Sequence, residues 1–234
     1  LITDQSSLDA LTFSDTQPGP VLGVFASGHM AFEYKRLNKA LPQPSLSQMT
    51  AKALQYFQHR QGGYLLVIEG ARIDHAHHNG NAANALLETA SLANAVQLAD
   101  EMTSDEDTLI IVTADHSHTL TMAGYPQRGN SILSTSKNQK GVTVLANDGL
   151  PYTTLGYANG TSLGRQVMKG DQQVATDTMD FKQGVAVPLA YETHGSDDVA
   201  LHAKGPGAFL FSGVMEQHEI FHTILEAVTG ELPR

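Results

Sequence analysis

Between positions 69 and 118 this 234-residue sequence gathers side chains of the types that can bind metal ions. Glu69, Asp74, His75, His77 and His78 follow the apolar run Leu65-Leu66-Val67-Ile68. Asp115, His116 and His118 follow a second run, Leu109-Ile110-Ile111-Val112. Five of the eleven histidines lie between positions 75 and 118, so composition alone does not explain the cluster. Carboxylate and imidazole donors without sulfur suit zinc or another divalent ion. The same residue types also cap helices and line solvated loops, and Asp74 with His78 has the i,i+4 spacing of an ordinary helix pair. A third group, Glu192-Thr193-His194-Gly195-Ser196-Asp197-Asp198, is weak by itself, since a turn with one histidine is more often structural. His29, His59, His202, His218 and His222 stand outside these groups and read as structural or surface residues.

The elements that must position these groups are those of an α/β fold. Leu46, Met49, Ala53, Leu54 and Phe57 recur at helical spacing, which predicts a helix over 45–60, capped by Ser45 or Ser47 and ended by Gly62-Gly63. Tyr64 to Ile68 has the continuous apolar character of a strand covered on both faces. An Ala- and Leu-rich helix is expected over 84–102 and a second buried strand over 108–113. Strand, helix, strand argues a βαβ unit. Ligands in open α/β sheets bind beyond the carboxyl ends of the strands, where both clusters fall. The 124–184 stretch is rich in Gly, Asn, Gln and Thr, with short β-prone pieces at Val142–Leu145 and Tyr152–Leu155, and reads as an irregular insertion. Strands are expected again at Val185–Pro188, Val199–Ala203 and Ala208–Phe211. A closing amphipathic helix spans Glu216–Val228, with Ile220, Phe221, Ile224, Leu225 and Val228 on one face. The expected organisation is core over 1–123, insertion over 124–184 and core again over 185–234.

Composition excludes several classes. Charged residues are 16 % and hydrophobic residues 41 % of the chain, the opposite of a disordered composition. No apolar run approaches the ~20 residues of a membrane span. Fourteen basic against 24 acidic residues give a net charge of −10, which repels nucleic-acid backbones. There is no cysteine, hence no disulfide, thiolate zinc site or cysteine nucleophile.

Val67-Ile68-Glu69-Gly70-Ala71-Arg72-Ile73-Asp74-His75-Ala76-His77-His78-Asn79 resembles a metal-binding segment of the alkaline phosphatases. Thr113-Ala114-Asp115-His116-Ser117-His118 resembles their next metal segment, and Glu192-Thr193-His194 with Val199-Ala200 a third. Gly124-Tyr125-Pro126-Gln127-Arg128-Gly129 and Lys204-Gly205-Pro206 resemble connecting segments, so the likeness runs from about Val21 to the C-terminus. It implies a central, mostly parallel sheet flanked by helices, with a small crown-like insertion. It implies hydrolysis of phosphate monoesters through a phosphoserine, in a homodimer, periplasmic or secreted. By resemblance Asp74, His78 and His194 bind one zinc, Asp115 and His116 a second, and Glu69 a magnesium. His75 and His118 stand behind these ligands, and His77 is expected to be exposed.

The sequence also departs from that family. The serine nucleophile, the zinc-bridging aspartate, the phosphate-binding arginine and a magnesium-site threonine belong to the family's N-terminal half. The Ser14-Asp15 and Ser196-Asp197 pairs here have the reverse of the nucleophile motif's order. The expectation is a C-terminal part that needs an N-terminal part as partner. Val24 to Met30 resembles a segment that serves a calcium site in animal members, but Ala26 and Gln43 stand where carboxylates would be, and calcium then has too few oxygen ligands. The alternatives are a related phosphodiesterase, sulfatase or mutase with the same ligand set, or an inactive fragment with vestigial metal loops.

Overall fold

The computed structural model describes residues 1–13, 19–161 and 175–230. Ser14-Asp15, residues 162–174 of the expected insertion and 231–234 lie outside them. The helices are α1 (Gln5–Asp9), α2 (Glu33–Asn38), α3 (Leu46–Gln58), α4 (Arg72–His78), α5 (Ala82–Met102) and α6 (Gln217–Thr229). The strands are β1 (Ile110–Val112), β2 (Leu120–Met122), β3 (Leu155–Gly160), β4 (Val185–Pro188) and β5 (His202–Lys204). No helix among the described residues is long and apolar enough to cross a membrane.

The helical layer starts from a capping box. Ser45 Oγ accepts from Gln48 N (3.2 Å) and Gln48 Oε1 accepts from Ser45 N (2.7 Å), satisfying two orphan donors at the start of α3. Leu54 and Thr50 of α3 are buried, and α3 and α4 both pack on α5. The buried face of α5 is built from Ala82, Ala83, Ala85, Ala95 and Ala99. These small side chains let neighbouring helices approach closely.

A three-residue turn joins α4 to α5 and fixes their mutual angle. Gly80 N donates to His77 O (2.7 Å) and Asn81 N to Ala76 O (2.9 Å), the paired bonds of a Schellman cap. That cap requires the left-handed φ of +65° found at Gly80. Asn81 then caps the next helix, its Oδ1 accepting from Asn84 N at 2.9 Å. The histidines of α4 are thereby locked to the buried start of α5.

β1 pairs antiparallel with β5, Ile111 opposite Ala203. The second sheet runs β2-β3-β4, antiparallel and then parallel. Its middle strand comes from the stretch expected as an insertion and buries Leu155 and Tyr157.

Several expected elements differ. Residues 64–68 form no strand and pair with none among the described residues, and Leu65 and Val67 are 71 % and 81 % exposed. An apolar run becomes a strand only when another strand satisfies its backbone, and β1 gives its hydrogen bonds to β5 instead. The strand expected at Ala208–Phe211 is a 3₁₀ turn over Ala208–Leu210. Gly205 and Gly207, at φ +102° and +80°, curl the chain so that Ala208 N reaches Gly205 O and Leu210 N reaches Gly207 O. The strand expected at Val199–Ala203 forms at His202–Lys204, in register with β1.

Gly205 also sets a stability prediction. A Cβ there would lie 2.0 Å from Thr108 O, whereas Gly213, at φ +82°, has nothing within 4 Å. Left-handed strain in a non-glycine residue costs about 1–3 kcal/mol, and a backbone clash adds to it. Gly205→Ala should therefore melt several degrees below Gly213→Ala, at roughly 2–4 °C per kcal/mol for a domain of this size. Equal melting temperatures would mean that Gly205 does not abut Thr108.

Candidate metal centre

Asp74 sits on α4 with His78 one turn later, so both project from one helix face. His116 and His118 lie on the segment beyond β1, which ends at Val112. Adjacent residues in a strand point to opposite faces. Asp115 and His116 lie in the loop after the strand, where that alternation no longer binds them. His194 comes from the loop after β4. An isolated antiparallel bridge joins His118 to His194, and Gly195 N donates to Ser117 O at 2.8 Å. A Cβ on Gly195 would lie 2.5 Å from Ser117 Oγ and 2.9 Å from His118 O, so glycine is needed where the two loops touch.

These elements converge on a single oxygen. Asp74 Oδ1 lies 3.1 Å from His118 Nε2, 3.2 Å from His78 Nε2, 3.5 Å from His194 Nε2 and 3.9 Å from His116 Nε2. His78 and His194 bring their Nε2 atoms to 3.2 Å across 116 positions of sequence. The His116 and His194 rings stack at 3.6 Å. Among the described residues two sets have metal-ligand spacing, Asp74 with His116 and His194, and Asp74 with His78 and His118.

The donor chemistry fits an ion. Asp74 Oδ1 is buried and makes no hydrogen bond, although four ring nitrogens surround it. His78 Nδ1 faces the carbonyl of Glu192 at 2.6 Å and His116 Nδ1 that of Ser117 at 3.1 Å. A carbonyl only accepts, so both Nδ1 atoms carry the proton, and in the neutral rings the Nε2 lone pairs point inward. Lone pairs of nitrogen and carboxylate oxygen at such distances repel unless a cation lies among them.

The other expected residues are placed as follows. Asp115 is 81 % exposed in its side chain, its Oδ2 3.4 Å from His116 Nε2. Glu69 is exposed and belongs to neither ligand set among the described residues. His75 packs against His29 at 4.3 Å between ring centroids and takes a hydrogen bond from Arg72 at 3.0 Å on Nδ1. Burial, then the charges of Arg72 and His29, hold its pKa below the usual imidazole value. His118, expected behind the ligands, lies within ligand distance. Gln43 ties its own loop with a neutral amide, Oε1 accepting from Ala31 N at 3.0 Å and Nε2 donating to Phe25 O at 3.1 Å.

Two residues escape sequence reasoning. His77, expected at the surface, is half-buried, stacked on His118 at 4.6 Å with Nδ1 2.9 Å from Tyr157 Oη. The reason is Tyr157 of β3, whose ring and hydroxyl lie against it from eighty positions away in the sequence. Burial, with the neighbouring His118, lowers its pKa to about 4; burial also raises that of the Tyr157 phenol. Glu192 is fully buried beside His118 and Thr119. Its signal in the sequence was only its position two residues before His194.

A sequence model of the family described as alkaline phosphatase matches residues 1–229. The tissue-nonspecific alkaline phosphatase of Gallus gallus is 42 % identical over 212 residues, covering 88 % of this chain and 39 % of that protein. The Homo sapiens isozyme is 39 % identical over 223 residues, covering 94 % and 41 %. The Gadus morhua alkaline phosphatase is 38 % identical over 224 residues, covering 94 % and 45 %. The chain thus spans less than half the length of these relatives. Among solved structures, a cold-active alkaline phosphatase from a Shewanella species superposes with a TM-score of 0.61 at 23 % identity, over 97 % of this chain and 58 % of that one. That likeness establishes the fold.

His77 makes the metal-free protein acid-sensitive in a defined window. The unfolded chain takes up its proton near pH 6.5, whereas the folded chain resists until about pH 4. Between these values the unfolded state binds more protons, so stability falls as pH drops from 6.5 toward 4. With chelator present, His77→Gln should show a smaller loss of melting temperature over that window than the unsubstituted chain. Identical pH slopes would show that His77 is not desolvated in the fold.

Proposed function

Because the chain belongs to the alkaline phosphatase family, we propose that it supplies the metal-binding part of an enzyme hydrolysing phosphate monoesters. The observation behind this reading is the ring of imidazole nitrogens around the buried, unbonded Asp74 Oδ1. In the proposal Asp74, His78 and His194 hold one zinc, Asp115 and His116 a second zinc, and Glu69 a magnesium. When bound, the ions supply Lewis acidity and the positive charge that a chain of net charge −10 lacks toward an anionic substrate.

The chain's own residues set the stage for that chemistry. Carbonyl oxygens at Nδ1 hold His78 and His116 with Nε2 turned inward. His116 stacked on His194 keeps two rings side by side, limiting their rotation before substrate arrives. Asp115, exposed at the rim, faces the solvent side from which a phosphate ester enters.

The hydroxyl that attacks phosphorus belongs to an N-terminal part, as do the phosphate-binding arginine and the remaining carboxylate and threonine ligands. The exposed apolar residues Leu65, Val67, Phe221 and Val228 support such a partner, since it would cover them and pair residues 64–68. The complete enzyme is a homodimer, periplasmic or secreted, with residues 124–184 as a crown-like subdomain near the dimer contact.

Two outcomes test this. Expressed alone with zinc and magnesium, residues 1–234 should not turn over an aryl phosphate monoester at alkaline pH, and co-expression with an N-terminal part should restore turnover, faster on monoesters than on diesters. Robust turnover or a phosphorylated serine on the lone chain would place the nucleophile here. Separately, His194→Ala should weaken zinc binding while leaving the circular dichroism spectrum unchanged. Unfolding on that change would assign His194 a core role instead.

A further inference from the structure

A histidine of a different kind sits on the helix that carries Asp74 and His78. Arg72, the first residue of α4, reaches one turn along the helix, and its Nη1 lies 3.0 Å from His75 Nδ1. The guanidinium is held from two sides. Its Cζ lies 3.8 Å from the centre of the Phe32 ring, within the range of a cation–π contact. Half-buried Glu88 of α5 attracts it, and Glu88 is itself fixed by Glu33 N, which donates to its Oε1 at 2.5 Å. Arg72 Nε is buried and makes no hydrogen bond. His75 is thus the one hydrogen-bond partner of this guanidinium among the described residues.

The N–H groups of a guanidinium donate and none of its atoms accepts. His75 Nδ1 must therefore present its lone pair to Arg72, and in the neutral ring the proton sits on Nε2. The opposite tautomer, or the imidazolium, would set N–H against N–H at 3.0 Å. His78, three residues on, is the converse case. Its Nδ1 faces the Glu192 carbonyl at 2.6 Å, so its proton is on Nδ1 and its lone pair on Nε2. One short helix carries two imidazoles in opposite forms, and the group that meets Nδ1 selects each form.

We infer that Arg72 is a positioning residue: it fixes His75 as the Nε2–H tautomer and occupies its one lone pair, so that His75, although it adjoins Asp74, is a hydrogen-bond donor and not a zinc ligand. The exclusion from ligation rests on the metal-centre reading above; the tautomer does not. Zinc takes a ring nitrogen only through a free lone pair. His75 has none to give, since Nε2 is protonated and Nδ1 is bonded. In keeping with this, His75 belongs to neither set with ligand spacing among the described residues. Without Arg72 the position would suit an ion. His29 lies against His75 with ring centroids 4.3 Å apart, and two adjacent imidazoles with free lone pairs are a pair of donors for a divalent metal. Arg72 prevents this twice over, by bonding the lone pair and by placing a positive charge beside it.

The test has two arms on the 234-residue chain and uses Arg72→Met, which keeps an unbranched apolar stem without the donors or the charge. The first arm reads tautomers by ¹⁵N NMR of the metal-free chain labelled in histidine and arginine, in mildly alkaline buffer. In the unsubstituted chain His75 should carry its proton on Nε2 alone, with Nδ1 coupled across the hydrogen bond to a guanidinium nitrogen. In Arg72→Met an Nδ1–H form of His75 should appear, while His78 keeps its proton on Nδ1. A proton on His75 Nδ1 in the unsubstituted chain overturns the inference even where Arg72→Met does not fold, and so does an unchanged His75 spectrum in a folded Arg72→Met. The second arm counts zinc by competition with a chromophoric chelator. Arg72→Met should bind a further, weaker equivalent that His29→Ala in the same background removes. No further zinc, or further zinc that survives His29→Ala, would refute the exclusion of His75 from ligation. The expected tautomers in a chain that binds no zinc at all would instead refute the metal reading and leave the Arg72–His75 assignment standing.

Discussion

The constraint on which the rest of the site depends is electrostatic. A carboxylate oxygen cannot sit buried beside bare imidazole nitrogens unless positive charge lies among them. Removing a carboxylate from water without a compensating partner costs several kcal/mol. At Asp74 the ordinary compensation, a hydrogen bond to Oδ1, is missing, although the nitrogens able to give one are within 3.1–3.5 Å for three of the rings. Two of those rings are tied through Nδ1 instead, His78 to the Glu192 carbonyl and His118 to the Glu192 carboxylate. The fold spends a Schellman turn, a glycine contact between two loops and a buried carboxylate on holding this otherwise repulsive arrangement.

What was legible in the sequence follows from how local each determinant is. α3, α5 and α6 could be read because their signals act within a few positions: the Ser45 cap and apolar spacing of α3, the Ala and Leu content of α5, and the apolar face of α6. The convergence of His194 on Asp74 is not local, and only its likeness to an ordered set of motifs foretold it. The apolar run 64–68 reads as a strand in the sequence, but a strand is a property of two segments, and none of the described residues pairs with it. The burial of His77 is invisible in the sequence for a similar reason. Its burial comes from Tyr157, eighty positions away. Glu192 gave no signal of its own, since a glutamate beside a histidine in a turn reads as solvated until the structure closes Thr119 and His118 over it.

The division between covered and uncovered surface has its own logic. The helical layer is complete where α3, α4 and α5 meet, and the histidines of α4 hang from its most buried part. The outer faces of residues 64–68 and of α6 are apolar and open. The chain, spanning 39–45 % of these relatives, thus holds the candidate ligand-bearing loops in register although residues 64–68 pair with no strand among the described residues. The loops depend on side-chain clamps and short bridges rather than on a wide sheet, so their geometry is less sensitive to what lies beside residues 64–68.

The loop around Gln43 shows the same substitution of one kind of tie for another. Calcium gathers loops by drawing several carboxylate and carbonyl oxygens onto one charge. Here Ala26 offers no oxygen in its side chain, and the Gln43 amide bridges a backbone donor and a backbone acceptor, Ala31 N and Phe25 O. An amide can do this because it carries both a donor and an acceptor, whereas an aspartate at the same position would meet the Phe25 carbonyl acceptor to acceptor and would call for a cation between them. The neutral side chain therefore satisfies both backbone groups by itself. The two loops of this chain follow one rule in opposite directions: where acceptors face acceptors, as at Asp74, positive charge has to come between them, and where donor meets acceptor, as at Gln43, the groups satisfy each other.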